Sequence, residues 1–102
     1  MRKIINGKLY DTDTAKMIGG NSNGCYHSDA HYCSENLYQK KTGEFFLYGE
    51  GGAYSKYGES YGDGSYGFGK CIVPMDEKDA REWMETYGDA DKYIAVFGEV
   101  EE

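Results

Sequence analysis

The sequence predicts an α+β fold, in which a small antiparallel sheet built from hairpins carries one or two C-terminal helices packed on it. Two patterns in the 102 residues lead to this prediction. Short apolar runs separated by turn residues fill most of the chain, and apolar residues recur with a helical period in the last quarter. The length and the lack of a linker-like stretch predict a single domain over residues 1–102.

The first predicted elements are extended. Residues 4–10 predict two short strands around Asn6 and Gly7, because an Asn-Gly pair is the strongest short signal for a hairpin turn. Residues 15–18 predict another extended piece, followed by a loop at residues 19–24. Residues 32–39 and 44–48 predict a second hairpin, with its turn at residues 40–43.

Residues 49–69 predict a long irregular loop. Eight of these 21 residues are glycine, which raises the entropic cost of ordering them, and aromatic residues are interleaved between them. We expect Tyr48 and Tyr54 to pack within the protein. Tyr57, Tyr61 and Tyr66 lie further into the loop and are the better candidates for contact with a partner. A short strand at residues 70–73 follows, closed by the only proline.

The last quarter predicts two helices. One apolar stripe has the spacing i, i+3, i+4, i+7 and consists of Ala80, Trp83, Met84 and Tyr87. Asp76 is the expected N-cap of this helix and Gly88 its end. Asp89 is the expected N-cap of a second, shorter helix that ends at Gly98.

The net charge of −7 comes entirely from residues 76–102, which contain ten acidic and three basic side chains. This balance argues against a protein that grips nucleic acid through its phosphates. Most charge runs are solvated helix faces, but a single-sign patch also orients a partner of opposite charge. The partner-binding candidates on the predicted helices are Asp76, Glu77, Asp79, Glu82, Glu85, Asp89 and Asp91.

The cysteines and histidines predict a structural zinc site. The expected ligands are Cys25, His31, Cys33 and Cys71, with His27 as the alternative histidine. Four such ligands would close the coordination sphere, so the zinc would stabilise the fold and take no part in chemistry. The spacing matches no named zinc finger. The simpler interpretation is three reduced, packed cysteines without metal, and an odd cysteine count disfavours a disulfide.

No pattern supports catalysis. Residues 62–67 spell GxGxxG, but no helix follows to receive a pyrophosphate, so we reject a dinucleotide site. No apolar run is long enough for a transmembrane helix, and the N-terminus lacks the apolar segment of a signal peptide. We therefore expect a cytoplasmic protein that is not an enzyme and does not bind a membrane.

Three stretches carry a resemblance to a known family. NGKLYDTDTAKMIG, LYQKKTGEFFLYGEGGAYSKYG and IVPMDEKDAREWMETYGDADKYIAVFGE together cover most of the chain. The series resembles small proteins carried by phages and mobile elements of Firmicutes, a family that includes the anti-CRISPR inhibitors of type II-A systems. The set Cys25, His31, Cys33 and Cys71 departs from the aromatic residues that the family has at some of these places.

The resemblance implies stoichiometric inhibition of the RNA-guided type II-A effector nuclease inside the bacterial host cell. Such a nuclease holds DNA in positively charged channels, so the acidic helical face could block target loading without direct contact with nucleic acid. One alternative is another anti-defence or regulatory protein, aimed for example at a restriction enzyme. A less favoured alternative is a small enzyme that acts on guide RNA.

Overall fold

The computed structural model describes residues 1–102 and confirms the predicted α+β fold. The strands are β1 (Arg2–Ile5), β2 (Lys8–Asp11), β3 (Lys16–Ser22), β4 (Cys33–Gln39), β5 (Phe45–Gly51), β6 (Glu59–Ser60), β7 (Tyr66–Gly67) and β8 (Gly69–Met75). The helices are α1 (Glu77–Tyr87) and α2 (Ala90–Phe97).

Four strands form the main sheet, in the order β3-β4-β5-β8, and every neighbouring pair is antiparallel. The strands β1 and β2 form one separate hairpin, and β6 and β7 form another. Strands β3, β4 and β5 follow one another directly. The segment between β5 and β8 contains the β6–β7 hairpin, after which β8 returns to pair with β5.

The two helices cover one face of the main sheet. The buried residues between them and the sheet are Ile18, Leu37, Phe45, Leu47, Ala80, Trp83 and Met84. The alternation of strand side chains sends Leu37 and Leu47, which are register partners, to this helix face together. The apolar stripe of α1 meets them, as its helical spacing predicts.

The opposite face of the sheet packs on the β1–β2 hairpin. Tyr10 from β2 contacts Phe46 edge to face, with ring centroids 5.5 Å apart, and Ile72 completes this smaller cluster. The turn of the hairpin has positive φ at both Asn6 (51°) and Gly7 (77°), the backbone of a type I′ turn. The predicted Asn-Gly hairpin is therefore confirmed.

The predicted helix ends are confirmed as well. The Asp76 carboxylate accepts a hydrogen bond from the backbone N–H of Asp79 at 2.7 Å, and that of Asp89 accepts one from Asp91 at 2.9 Å. Each bond satisfies a backbone donor in a helical first turn that has no partner within the helix. Gly88 and Gly98 follow the last residues of α1 and α2.

Three predicted loop boundaries are wrong. Strand β3 continues through Gly19 and Gly20, which were expected in a loop, because the Trp83 ring lies against Gly19 where a side chain would otherwise stand. Strand β8 continues past Pro74, which an edge strand tolerates because its outer N–H needs no partner. The expected irregular loop at residues 49–69 contains the end of β5, the short hairpin β6–β7 and the start of β8.

Candidate interaction surfaces

The acidic face of the two helices is exposed in full. All seven of the predicted partner-binding acids in this region have exposed side chains: Asp76, Glu77, Asp79, Glu82, Glu85, Asp89 and Asp91. Because the inner side of α1 is occupied by its apolar stripe, the helical period turns Glu82 and Glu85 outward. The packing of the helix thus creates the acidic surface.

Few of these carboxylates are neutralised within the protein. Glu77 pairs with Arg81 at 3.1 Å, and this is the single ion pair on either helix. Asp76 and Asp89 also cap the helices, so they have a structural role in addition to their charge. Asp79, Glu82 and Asp91 accept no hydrogen bond through their side chains, which leaves their charge available to a partner.

A flat patch of glycines on the helix face of the sheet accommodates the segment that follows β5. Gly49 and Gly51 of β5 and Gly69 of β8 present no side chain there. A Cβ at Gly49 would overlap the Tyr57 ring, and a Cβ at Gly69 would overlap the backbone of Tyr57. The glycines therefore serve close packing, in which residues 52–58 lie directly on the sheet.

Glu35 is a buried carboxylate that joins this segment to the helix. Its side chain accepts hydrogen bonds from the Tyr57 hydroxyl and, at 3.4 Å, from the indole N–H of Trp83, and it pairs with Lys56 at 2.7 Å. Burial alone would raise the pKa of Glu35, but the bonds from Lys56, Tyr57 and Trp83 outweigh it, and the pKa lies below its usual value. Glu35 is therefore ionised and links β4, α1 and residues 56–57.

The neighbours of Glu35 respond to its charge. The pKa of Lys56 is raised, chiefly by its hydrogen bond to Glu35. Burial, followed by the bond to Glu35, raises the pKa of the Tyr57 hydroxyl. Burial and the Glu35 charge also raise the pKa of the Cys33 thiol, which disfavours a thiolate there.

The tyrosines of the glycine-rich region divide differently from the prediction. Tyr54 was expected to pack, but this is wrong, since its side chain is 73% exposed. Tyr57, expected to be available to a partner, uses its ring and hydroxyl within the protein. Tyr61 and Tyr66, on the β6–β7 hairpin, are both 60% exposed and remain accessible.

Aromatic side chains gather at the end of the sheet where β4 begins and β5 ends. We call this set the aromatic end: His27, His31, Tyr32, Tyr54 and Phe68, which are joined by ring contacts, and the exposed Tyr26 next to His27 in the chain. The His27 ring lies 4.8 Å from Phe68 and 5.0 Å from Tyr32, centroid to centroid, and His31 lies 5.3 Å from Tyr54. The sequence prediction proposed partner contacts for Tyr61 and Tyr66 and missed this set of rings.

The side chain of Asn23 binds the backbone of three of the expected zinc ligands. The Asn23 side-chain oxygen accepts hydrogen bonds from the backbone N–H of Cys25 at 3.2 Å and of Cys33 at 3.3 Å, and its amide donates to the His31 carbonyl at 2.6 Å. These bonds fix the course of the loop. The rings of His27 and His31 contact aromatic residues.

Cys71 does not join the other expected ligands. Cys33 pairs with Gly51 and Cys71 with Gly49, on opposite sides of β5, with the Tyr57 ring against Gly49. Two strands flanking a third are roughly 9–10 Å apart, whereas sulfurs on one zinc are within about 5 Å of each other. No group of three or more His, Cys, Asp or Glu side chains is arranged to hold a metal ion, so the residues as placed do not fit the four-ligand set. Zinc binding stays a prediction.

Glu35 was missed by the sequence analysis, although a signal was present. Cys33, Glu35 and Leu37 alternate along β4 and share one face, and Leu37 is fully buried on that face. A carboxylate between two residues of an apolar face implies partners for it, because a buried charge is costly without them. The partners themselves come from distant segments and cannot be read from this alternation.

Neither helix has the length and apolar character needed to cross a membrane.

Comparison of the chain with models of protein families, with curated proteins and with solved structures found no match.

Proposed function

We propose that this protein inhibits the RNA-guided type II-A effector nuclease by binding it stoichiometrically and blocking the loading of target DNA. It would act in the cytoplasm of the bacterial host cell, by binding and without catalysis. The identity of the target comes from the family resemblance, and the manner of binding comes from the acidic helical face. The exposure of all seven helical carboxylates, with one ion pair among them, is the observation that carries the proposal.

The charge pattern supports a basic protein partner. Residues 76–91 contain seven acidic and two basic side chains, all outside the apolar stripe of α1. Effector nucleases of this type hold nucleic acid in positively charged channels and read the motif next to the target with arginines. A surface of single sign speeds and orients encounter with such a channel. Once bound there, the helical face would compete with the phosphates of DNA.

A cleavage assay tests the proposal. The guide-loaded nuclease is incubated with this protein either before or after target DNA, over a range of molar ratios. We expect inhibition only when the protein is added first, complete at about one molecule per nuclease, because DNA already in the channel excludes it. Inhibition at far lower ratios with altered guide RNA would favour the enzyme instead, and no inhibition in either order would reject this target.

Charge reversal locates the contact. The triple variant Asp79→Lys, Glu82→Lys and Asp91→Lys changes carboxylates that accept no side-chain hydrogen bond and leaves both caps intact. The matched control reverses the same number of charges in the exposed tail: Glu99→Lys, Glu101→Lys and Glu102→Lys.

We expect the helical triple variant to bind at least about tenfold more weakly at low salt and to lose most of its salt dependence, while the tail variant changes much less. Equal weakening by both variants would mean that net charge acts without a specific face. Unchanged binding by the helical variant would move the contact elsewhere on the molecule.

A further inference from the structure

The segments at and next to the aromatic end are acidic, although Lys56 and Lys70 lie within two residues of them in the chain. Residues 26–32, 52–55 and 59–68 contain three carboxylates, those of Asp29, Glu59 and Asp63, and no lysine or arginine. None of the three takes part in an ion pair within the protein. Tyr26 is 85% exposed and Tyr54 73% exposed, and the Asp29 carboxylate is exposed as well, so aromatic side chains and a carboxylate are accessible at this end of the sheet.

The backbone of this surface is held in place before any partner arrives. Beyond the last pair of the β4–β5 ladder, Gly52 N–H donates to the Tyr32 carbonyl at 2.9 Å and Tyr54 N–H to the Ala30 carbonyl at 2.8 Å. The two loops touch so closely that a Cβ at Gly52 would lie 2.5 Å from the Ala30 carbonyl oxygen. A surface fixed in this way loses little conformational entropy on binding.

A depression of about 310 Å³ lies within the aromatic end. The rings of His27 and Phe68, packed on each other with centroids 4.8 Å apart, form one aromatic wall, and the single charged residue of the lining is Asp29. The backbone of residues 28–30 and of Gly52 and Ala53 completes the lining. One carboxylate oxygen of Asp29 accepts the backbone N–H of His31 at 2.8 Å, which orients the side chain and leaves the second oxygen for a ligand.

Aromatic rings beside a free carboxylate match one side chain in particular. A guanidinium group is planar, stacks on aromatic faces and donates two parallel hydrogen bonds to a carboxylate, whereas an ammonium group is compact and strongly hydrated. Nucleobases also stack on such rings, but the lining of the depression presents the Asp29 carboxylate and no lysine or arginine to their phosphates. The combination therefore favours a protein ligand that presents arginine.

We infer that the depression lined by His27, Phe68 and Asp29 binds an arginine side chain of a protein partner, which stacks on the exposed side of this aromatic wall. This inference deepens the proposed function, since the channels of the proposed nuclease partner present arginines to nucleic acid. The helical face then supplies general attraction to positive charge, and the aromatic end distinguishes arginine from lysine.

Two short peptides test the inference without the nuclease. Acetylated and amidated Gly-Arg-Gly-Arg-Gly, and its counterpart with lysine at both positions, are titrated into the ¹⁵N-labelled protein at low salt. We expect the arginine peptide to bind about threefold or more tightly than the lysine peptide, because stacking and paired hydrogen bonds are open to guanidinium only. The largest amide shifts should fall on residues 26–32, 52–54 and 68.

Two matched variants complete the test. Asp29→Asn keeps the oxygen that accepts the His31 N–H and removes only the charge. Asp63→Asn is the control: it makes the same change outside the depression, at a carboxylate that accepts the Ser65 N–H at 3.0 Å. We expect Asp29→Asn to reduce the arginine peptide to the affinity of the lysine peptide, and Asp63→Asn to change it less than about twofold.

Equal affinities for the two peptides, equal effects of the two variants, or shifts centred on α1 would each overturn the inference. The nuclease assay and the peptide titration fail independently. Failure of inhibition with retained arginine preference would reject the proposed target alone, and inhibition without arginine preference would reject this site alone.

Discussion

Replacing Glu35 by alanine should destabilise the protein more than any exposed charge substitution. The change leaves the Tyr57 hydroxyl and the Trp83 indole N–H without their acceptor and removes the partner of Lys56. The Glu35 side chain is 7% exposed, whereas that of Lys56 is 63% exposed. The ammonium group of Lys56 can therefore turn to water when its partner is removed, but the two donors lie against protein.

The magnitude follows from these partners. A buried donor without an acceptor costs about 1–3 kcal/mol. The Trp83 bond is long, at 3.4 Å, so we place its loss near 1 kcal/mol and that of the Tyr57 bond near 2 kcal/mol. The exposed end of the ion pair adds at most about 1 kcal/mol. We expect a loss of about 2–4 kcal/mol in the free energy of unfolding, or roughly 10–20 °C in Tm for a domain of this size.

Glu44 provides the control. It forms two ion pairs, with Lys8 at 2.8 Å and with Lys40 at 3.6 Å, and its side chain is 39% exposed. If the number of ion pairs decided stability, Glu44→Ala would cost more than Glu35→Ala. Because exposed pairs contribute little, we expect Glu44→Ala to lower the free energy of unfolding much less than Glu35→Ala does.

Denaturation in urea, followed by circular dichroism and by the fluorescence of the single tryptophan, measures both variants. Hydrogen exchange then shows whether the amides of residues 52–58 lose protection in Glu35→Ala, as the loss of the Tyr57 bond requires. A cost for Glu44→Ala equal to or above that of Glu35→Ala, or unchanged protection of residues 52–58, would refute the reasoning.

Three further outcomes are expected. The folded pKa of Glu35 lies below its unfolded value, so the stability that its charge contributes is complete above the unfolded pKa and is lost as pH falls. The decrease in Tm on acidification below about pH 5 should therefore be smaller in Glu35→Gln than in the original protein. An identical decrease in both would contradict this. Gly49→Ala should lower Tm through overlap with the Tyr57 ring, and its cost should be smaller in a Tyr57→Leu background, which lacks the ring. A neutral Gly49→Ala, or an equal cost in both backgrounds, would exclude that packing. If the protein binds zinc, we expect one metal ion per chain and a lower Tm after chelation. Metal that is retained in Cys71→Ser but not in Cys25→Ser would restrict the site to the Cys25 loop. A melting curve that chelation leaves unchanged would reject zinc.

Local patterns in the sequence determined the first hairpin and the two helices. The Asn6-Gly7 pair determined the first hairpin because only a few residue types tolerate two positive φ angles in succession. The apolar spacing of α1 and the carboxylate at Asp76 determined that helix and its start, since both act within a few residues. The acidic helical face followed from the same periodicity.

Only the tertiary structure decided how distant segments meet. The glycines at residues 49, 51 and 69 belong to a stretch whose composition is typical of a loop. They form a flat patch instead, because all three lie on one face of the paired strands β5 and β8. Glu35 finds its partners on residues 56, 57 and 83, and Cys33 is kept from Cys71 by an intervening strand. Such relations depend on strand order and register, which are set by packing across the whole sheet, whereas a turn or a cap is complete within one short segment.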